Sequence, residues 1–341
     1  MADREEPRGR MRDAHNAARG IHAGAAGAVA MKRRYVTTDV FTDRPFGGNP
    51  LAVVLDAEGL STRQMQALAL EFNYSESTFV LPPDDPDHTA RVRIFTPRTE
   101  VPFAGHPNVG TAFVLARDYR YHRDAAAGEF RFEEAAGIVP LTLLKERGTV
   151  VGAELLAPEP LSRRSIVSRE VAARCLSLEV GDIAIGGHAP QIASVGLPFL
   201  IVEVASRAAL SRSRPSLSAY SEVLPRDGAD AIFAYVREDG EDGGDADETR
   251  LSARMFSPFD GIVEDPATGS ATAATVALLA ELRGGSGEHR WRVEQGVDMG
   301  RPSLLLARTT TLAGRTTATR VGGRSVAVME GSFTLEGEES V

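Results

Sequence analysis

Two stretches decide how this chain folds: His106-Pro-Asn-Val-Gly110-Thr111-Ala112 and Asp265-Pro-Ala-Thr-Gly269-Ser270-Ala271. Written one above the other, they share Pro, Gly and Ala, set one hydroxyl residue against another, and exchange His106 for Asp265 at an offset of 265 − 106 = 159. The agreement continues upstream. Phe95-Thr-Pro97 answers Phe256-Ser-Pro258 at an offset of 161, Phe79 answers Phe233 at 154, and Gly48-Asn-Pro50 answers Gly196-Leu-Pro198 at 148. Offsets that drift while the order is kept are what loop insertions do to an ancient internal duplication.

Each copy supplies a strand, a turn containing Gly and Pro, and then a helix. Proline suits the first helical turn because the N–H it lacks has no intrahelical partner there. Gly110 and Gly269 let another group approach the backbone closely. The free N–H groups and the positive end of each helix dipole then make an anion site. Two such helix starts facing each other would bracket one small acid.

Working outward, Arg34 to Phe41 and Leu51 to Leu55 read as strands. Ser61 followed by Gln64 has capping-box spacing, Met65, Leu68 and Phe72 recur at helical spacing, and Asn73 is a C-terminal stop. Strands follow at Ser77 to Leu81 and Ala90 to Phe95, then a helix from about Asn108 to Asp118 and a hairpin-like region from Arg131 to Leu156. The order then restarts, with strands at Ile192 to Val204, Ala231 to Val236 and Ser252 to Phe256. A helix runs from about Thr268 to Leu282 and stops at Gly284 and Gly285. Arg237 to Arg250 is a charged, Gly-rich stretch that reads as a solvated hairpin tip, and its carboxylate spacing does not match an EF-hand.

At 341 residues the chain exceeds what one core usually serves. The expected organisation is an extension over 1–30, a first domain over 31–150 and a second over 151–324, with a C-terminal strand near 325–336 completing the first. Residues 1–30 are rich in Ala, Gly, Arg and His without the apolar segment of a signal peptide, so they read as a disordered extension or an early start codon. The fold would open at Met31. No apolar run approaches the roughly 18 residues a membrane span needs. A net charge of −9 and a pI near 5.4 argue against nucleic acid or an anionic membrane as partner, and require that an anionic ligand be held by local features. The single cysteine, Cys175, excludes a disulfide framework and fits a reducing cytoplasm. His22, His88, His106 and His122 are scattered, no Cys pair or His-x-x-x-His supplies a metal set, and no Walker or Rossmann glycine pattern is present. Neither metal nor organic cofactor is expected.

Glu76, in Asn73-Tyr-Ser-Glu76-Ser-Thr-Phe79, lies between a helix and a strand, where partial desolvation would raise its basicity. On position alone it could equally be a solvated glutamate, as His106 could be a core histidine and Asp265 an N-cap.

Asp39-Val-Phe41-Thr, Gly48-Asn-Pro50, Ser75-Glu76, Phe95-Thr-Pro97, Phe103-Ala-Gly-His-Pro107, Glu264-Asp-Pro-Ala-Thr-Gly-Ser270 and Gly296 to Pro302 (GVDMGRP) together resemble the phenazine-biosynthesis PhzF-like isomerase family, from about Arg34 to Glu336. The resemblance implies an α/β (α+β) fold like that of diaminopimelate epimerase: two pseudo-symmetric domains, each a curved, mostly antiparallel sheet around a central helix, with the site between them. It also implies a cofactor-independent isomerase that moves a proton, and with it a double bond, on a small carboxylate-bearing metabolite. On the matching positions Glu76 would shuttle the proton, with His106 and Asp265 binding substrate and assisting. Backbone amides at Gly105–His106 and Gly269–Ser270 would hold the carboxylate. Related epimerases use two cysteines; Cys175 alone, outside every motif, excludes that mechanism. Two alternatives stay open: a racemase or epimerase of amino or hydroxy acids working through carboxylate and His bases, and a non-catalytic binding protein of the same fold. A homodimer is expected by analogy only. Trp291 and the GVDMGRP segment are expected to pack between domains, and the regions Phe130 to Leu178 and Glu203 to Arg226 to shape the pocket.

Overall fold

The first half of the chain, in a computed structural model that describes residues 31–238, 248–260 and 262–335, lays down eight strands and three helices. They are β1 (Met31–Val40), β2 (Asn49–Val54), α1 (Thr62–Phe72), β3 (Glu76–Leu81), β4 (Ala90–Phe95), β5 (Glu100–Val101), α2 (Gly105–Leu115), α3 (His122–Ala127), β6 (Glu129–Glu134), β7 (Gly137–Glu146) and β8 (Thr149–Leu156). The second half adds β9 (Ser162–Ile166), α4 (Arg169–Cys175), β10 (Gln191–Ser194), β11 (Pro198–Glu203), α5 (Arg207–Arg212), α6 (Leu217–Val223), β12 (Ile232–Arg237), β13 (Glu248–Ser257), β14 (Ile262–Asp265), α7 (Gly269–Arg283), β15 (Gly287–Gln295), β16 (Ser303–Leu312) and β17 (Arg315–Leu335). The 1–30 extension and the centre of the charged stretch, 239–247, lie outside the described residues.

The pairing pattern carries the duplication further than the motifs do. β1 and β2 are antiparallel, as are β10 and β11. β2 runs parallel to β3, and β11 to β12. Both copies continue with an antiparallel pair, β3–β4 and β12–β13, each extended by a short antiparallel strand, β5 and β14. β4 is parallel to β6 and β13 to β15, and each copy ends in two antiparallel steps, β6–β7–β8 and β15–β16–β17. Strand n of the first copy therefore matches strand n + 9 of the second. The copies exchange their last strands. β8 pairs with β17, β17 goes on to pair with β1, and β9 pairs with β10.

One helix threads each copy. α2 touches β2, β3, β7 and β8, α7 touches β10, β11, β15 and β16, and the two helices touch each other. In α2 every residue from His106 to Leu115 is buried, and α7 is buried from Ala271 to Ala280, as expected of helices enclosed by sheet rather than lying on its surface. Gly110 is the most tightly packed glycine of these two helices. A Cβ there would lie 2.6 Å from both Leu51 Cδ2 and Val40 Cγ2, so the glycine serves helix–sheet contact and not access to a ligand.

Local expectations hold where the chemistry is local. Ser61 caps α1 through a capping box with Gln64, and Asn73 closes the helix in left-handed backbone. Met65 and Ala69 are its buried residues, while Leu68 and Phe72 are half-buried. Two elements differ from expectation. α2 begins at Gly105 and not at Asn108, with Ala104 as an N-cap that offers no side-chain bond. Ile192 to Val204 is two strands, broken at Gly196, whose φ of 141° forms the tight turn between β10 and β11. The whole arrangement falls within one compact unit, Arg33–Ser332; of the other unit only Met31, Lys32 and residues 333–335 are described, as strand ends.

Candidate active site

α1 ends in left-handed backbone at Asn73, and the chain turns directly into β3, whose first residue is Glu76. Parallel pairing sets Glu76 beside Leu51, next to the Asn49–Pro50 entry of β2. Its Oε2 lies 3.6 Å from Nδ1 of His106, in the first turn of α2, and its side chain is 19% exposed. The imidazole is 6% exposed. Burial pushes its pKa down to about 3, against a smaller opposing contribution from a hydrogen bond to the Pro50 backbone. The ring is therefore neutral at ordinary pH, and the 3.6 Å approach is a contact between a carboxyl group and a neutral imidazole, too long for a hydrogen bond and not an ion pair. Nε2 of His106 is buried without a hydrogen-bond partner.

Asp265, at the end of β14, is built into a different setting. Its Oδ1 accepts from Asn49 Nδ2 at 2.9 Å, and its Oδ2 accepts from Thr268 Oγ1 at 2.5 Å. Burial raises its pKa to about 6; the hydrogen bonds from Thr268, Asn49 and the Ala267 backbone oppose this, and Glu264 adds to it. Around it, Asn49 also donates to Ala267 O at 3.0 Å and accepts from Ser75 Oγ at 2.9 Å. Gln295, fully buried at the end of β15, donates to Asp265 O at 2.8 Å and Thr268 Oγ1 at 3.0 Å, and accepts from Thr268 N at 3.1 Å. A single polar network thus runs from Ser75, beside Glu76, through Asn49 to the start of α7.

The helix starts themselves meet. A Cβ on Gly105 would lie 3.8 Å from both Gly269 Cα and Ser270 N. Beside them opens a cavity of about 520 Å³ whose lining includes Gly105, Gly269 and Ser270, but not Glu76, His106 or Asp265. Phe41, held at φ +64°, closes one wall, its ring 3.6 Å from a Cβ placed on Gly269. That backbone is fixed from both sides, Leu304 N donating to Phe41 O at 2.7 Å and Thr42 N to Arg324 O at 3.1 Å.

The predicted site residues fall into two groups. Glu76 and His106 are in contact, and Gly105 meets Gly269 and Ser270; Asp265 is joined toward the Glu76 side through Asn49 and Ser75. Asn49, Ser75, Thr268 and Gln295 were not singled out from the sequence. Asn49 and Ser75 lie inside quoted motifs, so their signal was present; Gln295 offered only one more polar residue at the end of a mostly polar strand. Trp291 packs within the second copy, its Nε1 donating to Thr309 at 2.9 Å. The GVDMGRP segment does bridge the copies, with Arg301 bonding Asp39 and the carbonyls of Gly47 and Gly48. Of the regions expected to shape the pocket, Phe130 to Leu178 lines the cavity and Glu203 to Arg226 does not. Among the described residues no group of three His, Cys, Asp or Glu could hold a metal ion, and no helix is long and apolar enough to cross a membrane.

Residues 38–331 match the phenazine biosynthesis-like protein family, PhzC-PhzF. The chain is 39% identical over 309 residues to an uncharacterised isomerase of Mesorhizobium japonicum, covering 89% of this chain and 99% of that one. It is 38% identical over 303 residues to the trans-2,3-dihydro-3-hydroxyanthranilate isomerase of Pseudomonas aeruginosa, with the same shares covered. The crystal structure of a PhzF-family phenazine biosynthesis protein from Bacillus anthracis superposes with a TM-score of 0.76 at 25% identity, covering 89% of this chain and 99% of that one.

Proposed function

The chain belongs to the phenazine biosynthesis-like (PhzC-PhzF) family and is an isomerase, and from that premise we propose that Glu76 is the base that moves the proton. Glu76 removes a proton from a carbon acidified by conjugation, the electron pair shifts along the adjoining double bond, and the same carboxyl group returns the proton at the far carbon. One group that both takes and gives keeps the transfer on one face of the substrate. His106 acts as a neutral hydrogen-bonding group, since burial denies it a charge. The substrate carboxylate is bound by backbone N–H groups at Gly105–His106 and Gly269–Ser270, where two helix starts supply positive potential without a formal cation. Asp265 orients the second of these starts and the substrate group nearest it.

What carries the reading is the 3.6 Å approach of a partly exposed carboxylate to a buried imidazole at the start of α2, beside the point where the helix starts meet. The named substrate of the Pseudomonas aeruginosa relative, trans-2,3-dihydro-3-hydroxyanthranilate, is the first probe. Incubated in deuterated water with that compound and a panel of small unsaturated acids, the protein should place deuterium on carbon, and Glu76→Gln should slow this by about 10²–10⁴-fold. Undiminished exchange in the variant would remove Glu76 from the mechanism.

We further propose a two-domain organisation, 31–150 closed by 325–336 and 151–324, in a cytoplasmic homodimer that contacts neither nucleic acid nor membrane. The net charge of −9 and the lone Cys175 agree with this, and light scattering on the purified protein would check the assembly.

A further inference from the structure

The cavity beside the helix starts is much larger than a small acid requires. About 520 Å³ falls in the range that holds drug-sized ligands. Its walls carry one ionisable side chain, Glu159, which is exposed, and one hydroxyl, Ser270. Among the described residues no Lys, Arg or His lines it. The remainder is hydrocarbon and backbone, and three of the large aliphatic side chains that face it are well exposed: Ile138 at 48%, Leu156 at 37% and Leu197 at 46%. Apolar side chains held open to water in a concave site mark a surface that awaits a ligand. Both copies contribute to it, with Ile138 on β7, Leu156 on β8 and Leu197 in the β10–β11 turn. None of the three lies within the motifs that carry the family resemblance.

We infer that this cavity takes the non-reacting part of the substrate, and that this part is an apolar body of at least one aromatic ring's size that carries no charged group of its own. The inference rests on the reading of the helix starts as the carboxylate site. An acid anchored at Gly105 and Gly269–Ser270 would extend its body along Phe41, Phe103, Ile138 and Leu197. A second carboxylate would meet no cation there, would face Glu159 at the rim, and would approach a protein of net charge −9. An ammonium or a sugar-like body would lose its hydration against walls with one hydroxyl to offer. Burying a ring against such walls is instead favourable in proportion to the area covered.

Calorimetric titration of the full chain with acetate, benzoate, 1-naphthoate and phthalate tests this without knowledge of the true substrate. Affinity should rise at least tenfold from acetate to 1-naphthoate, and phthalate should bind no better than acetate. Leu197→Asp and Ile138→Asp, both at exposed positions, should lower the 1-naphthoate affinity at least tenfold, with the milder Leu197→Ala following in the same direction. A 1-naphthoate affinity equal to that of acetate, or one that Leu197→Asp and Ile138→Asp leave unmoved, would overturn the inference. The titration reads binding without turnover, so the base can fail in the exchange experiment while the pocket stands, and the pocket can fail here while the base stands.

Discussion

The starts of α2 and α7 descend from one ancestral turn and have come to opposite designs. At α2 the ionisable residue, His106, sits inside the first helical turn, the cap is Ala104 without a side-chain bond, and Nε2 of the ring has no partner. At α7 the ionisable residue, Asp265, stands four positions before Gly269, and Asn49, Thr268 and Gln295 saturate the turn with hydrogen bonds. One start is left free to meet a changing partner, beside Glu76. The other is over-determined, which is how a binding group is held still. Duplication supplied the geometry twice; divergence left one start sparsely bonded, where we propose the chemistry occurs, and made the other rigid.

The strongest way to break this contrast is to remove the base at the free start. Glu76→Gln should lower kcat by about 10²–10⁴-fold while leaving the thermal unfolding midpoint in place; an equal loss from Asn49→Ala would mean that the rigid start does the chemistry. Next in size is Asp265→Asn. The parent's kcat/KM should rise with pH through about 6, where Asp265 ionises and can accept from both Asn49 and Thr268, and this limb should vanish in the variant, measured between pH 4.5 and 8.

Gln295→Ala leaves the Thr268 N–H and the Asp265 carbonyl buried and unpaired, at about 1–3 kcal/mol for each group. Denaturant unfolding should report the loss, and KM should rise by a larger factor than kcat falls. Gln295→Glu, which keeps the acceptor for Thr268 N–H, should recover part of the affinity.

A smaller effect separates the two starts by sign. His106 has its pKa lowered in the fold, so its contribution to stability is complete above about 6.5 and is lost as pH falls toward 3. Asp265 has its pKa raised, so its contribution is complete below 3.8 and is lost as pH rises to about 6. Between pH 6 and pH 4 the two oppose each other. Asp265→Asn should therefore lose more stability than the parent over that interval, seen as a larger fall in unfolding midpoint. Smallest of all, Ser61→Ala removes the α1 cap, far from either start, and should cost about 1 kcal/mol without altering kinetics.

What was legible in the sequence follows from the range of the interactions. The capping box at Ser61 and Gln64 and the stop at Asn73 depend on neighbours three or four residues away, and both are where the spacing puts them. The duplication was legible because it left the same letters in the same order. The early start of α2 was not, because its N-cap, Ala104, makes no side-chain bond and the helix is held instead by burial on every side. The division of Ile192 to Val204 turned on the backbone of one glycine. Among the site residues, Glu76 and His106 were reached through motif resemblance, and their 3.6 Å contact follows from the parallel pairing of β2 with β3. Asn49 and Asp265 are 216 positions apart, and no local pattern announces that an amide at the mouth of one strand will hold a carboxylate in the other copy. The large cavity was legible only in part: Phe41, Phe103, Gly105, Gly269 and Ser270 lie in the motifs, while Ile138, Leu156 and Leu197 share neither period nor motif.

The twenty-one residues of β17 bear on how the molecule comes into being. Their early part pairs with β16, their middle with β8 and their later part with β1, where Thr38 Oγ1 reaches Val326 O at 2.9 Å. On a ribosome the amino-terminal copy emerges first yet cannot pair its outer strands until β17 is made. A nascent chain arrested after residue 312 would carry β1 and β8 as unpaired edges, open to pairing with another chain. The copy made first is sealed by the last of the strands described, β17.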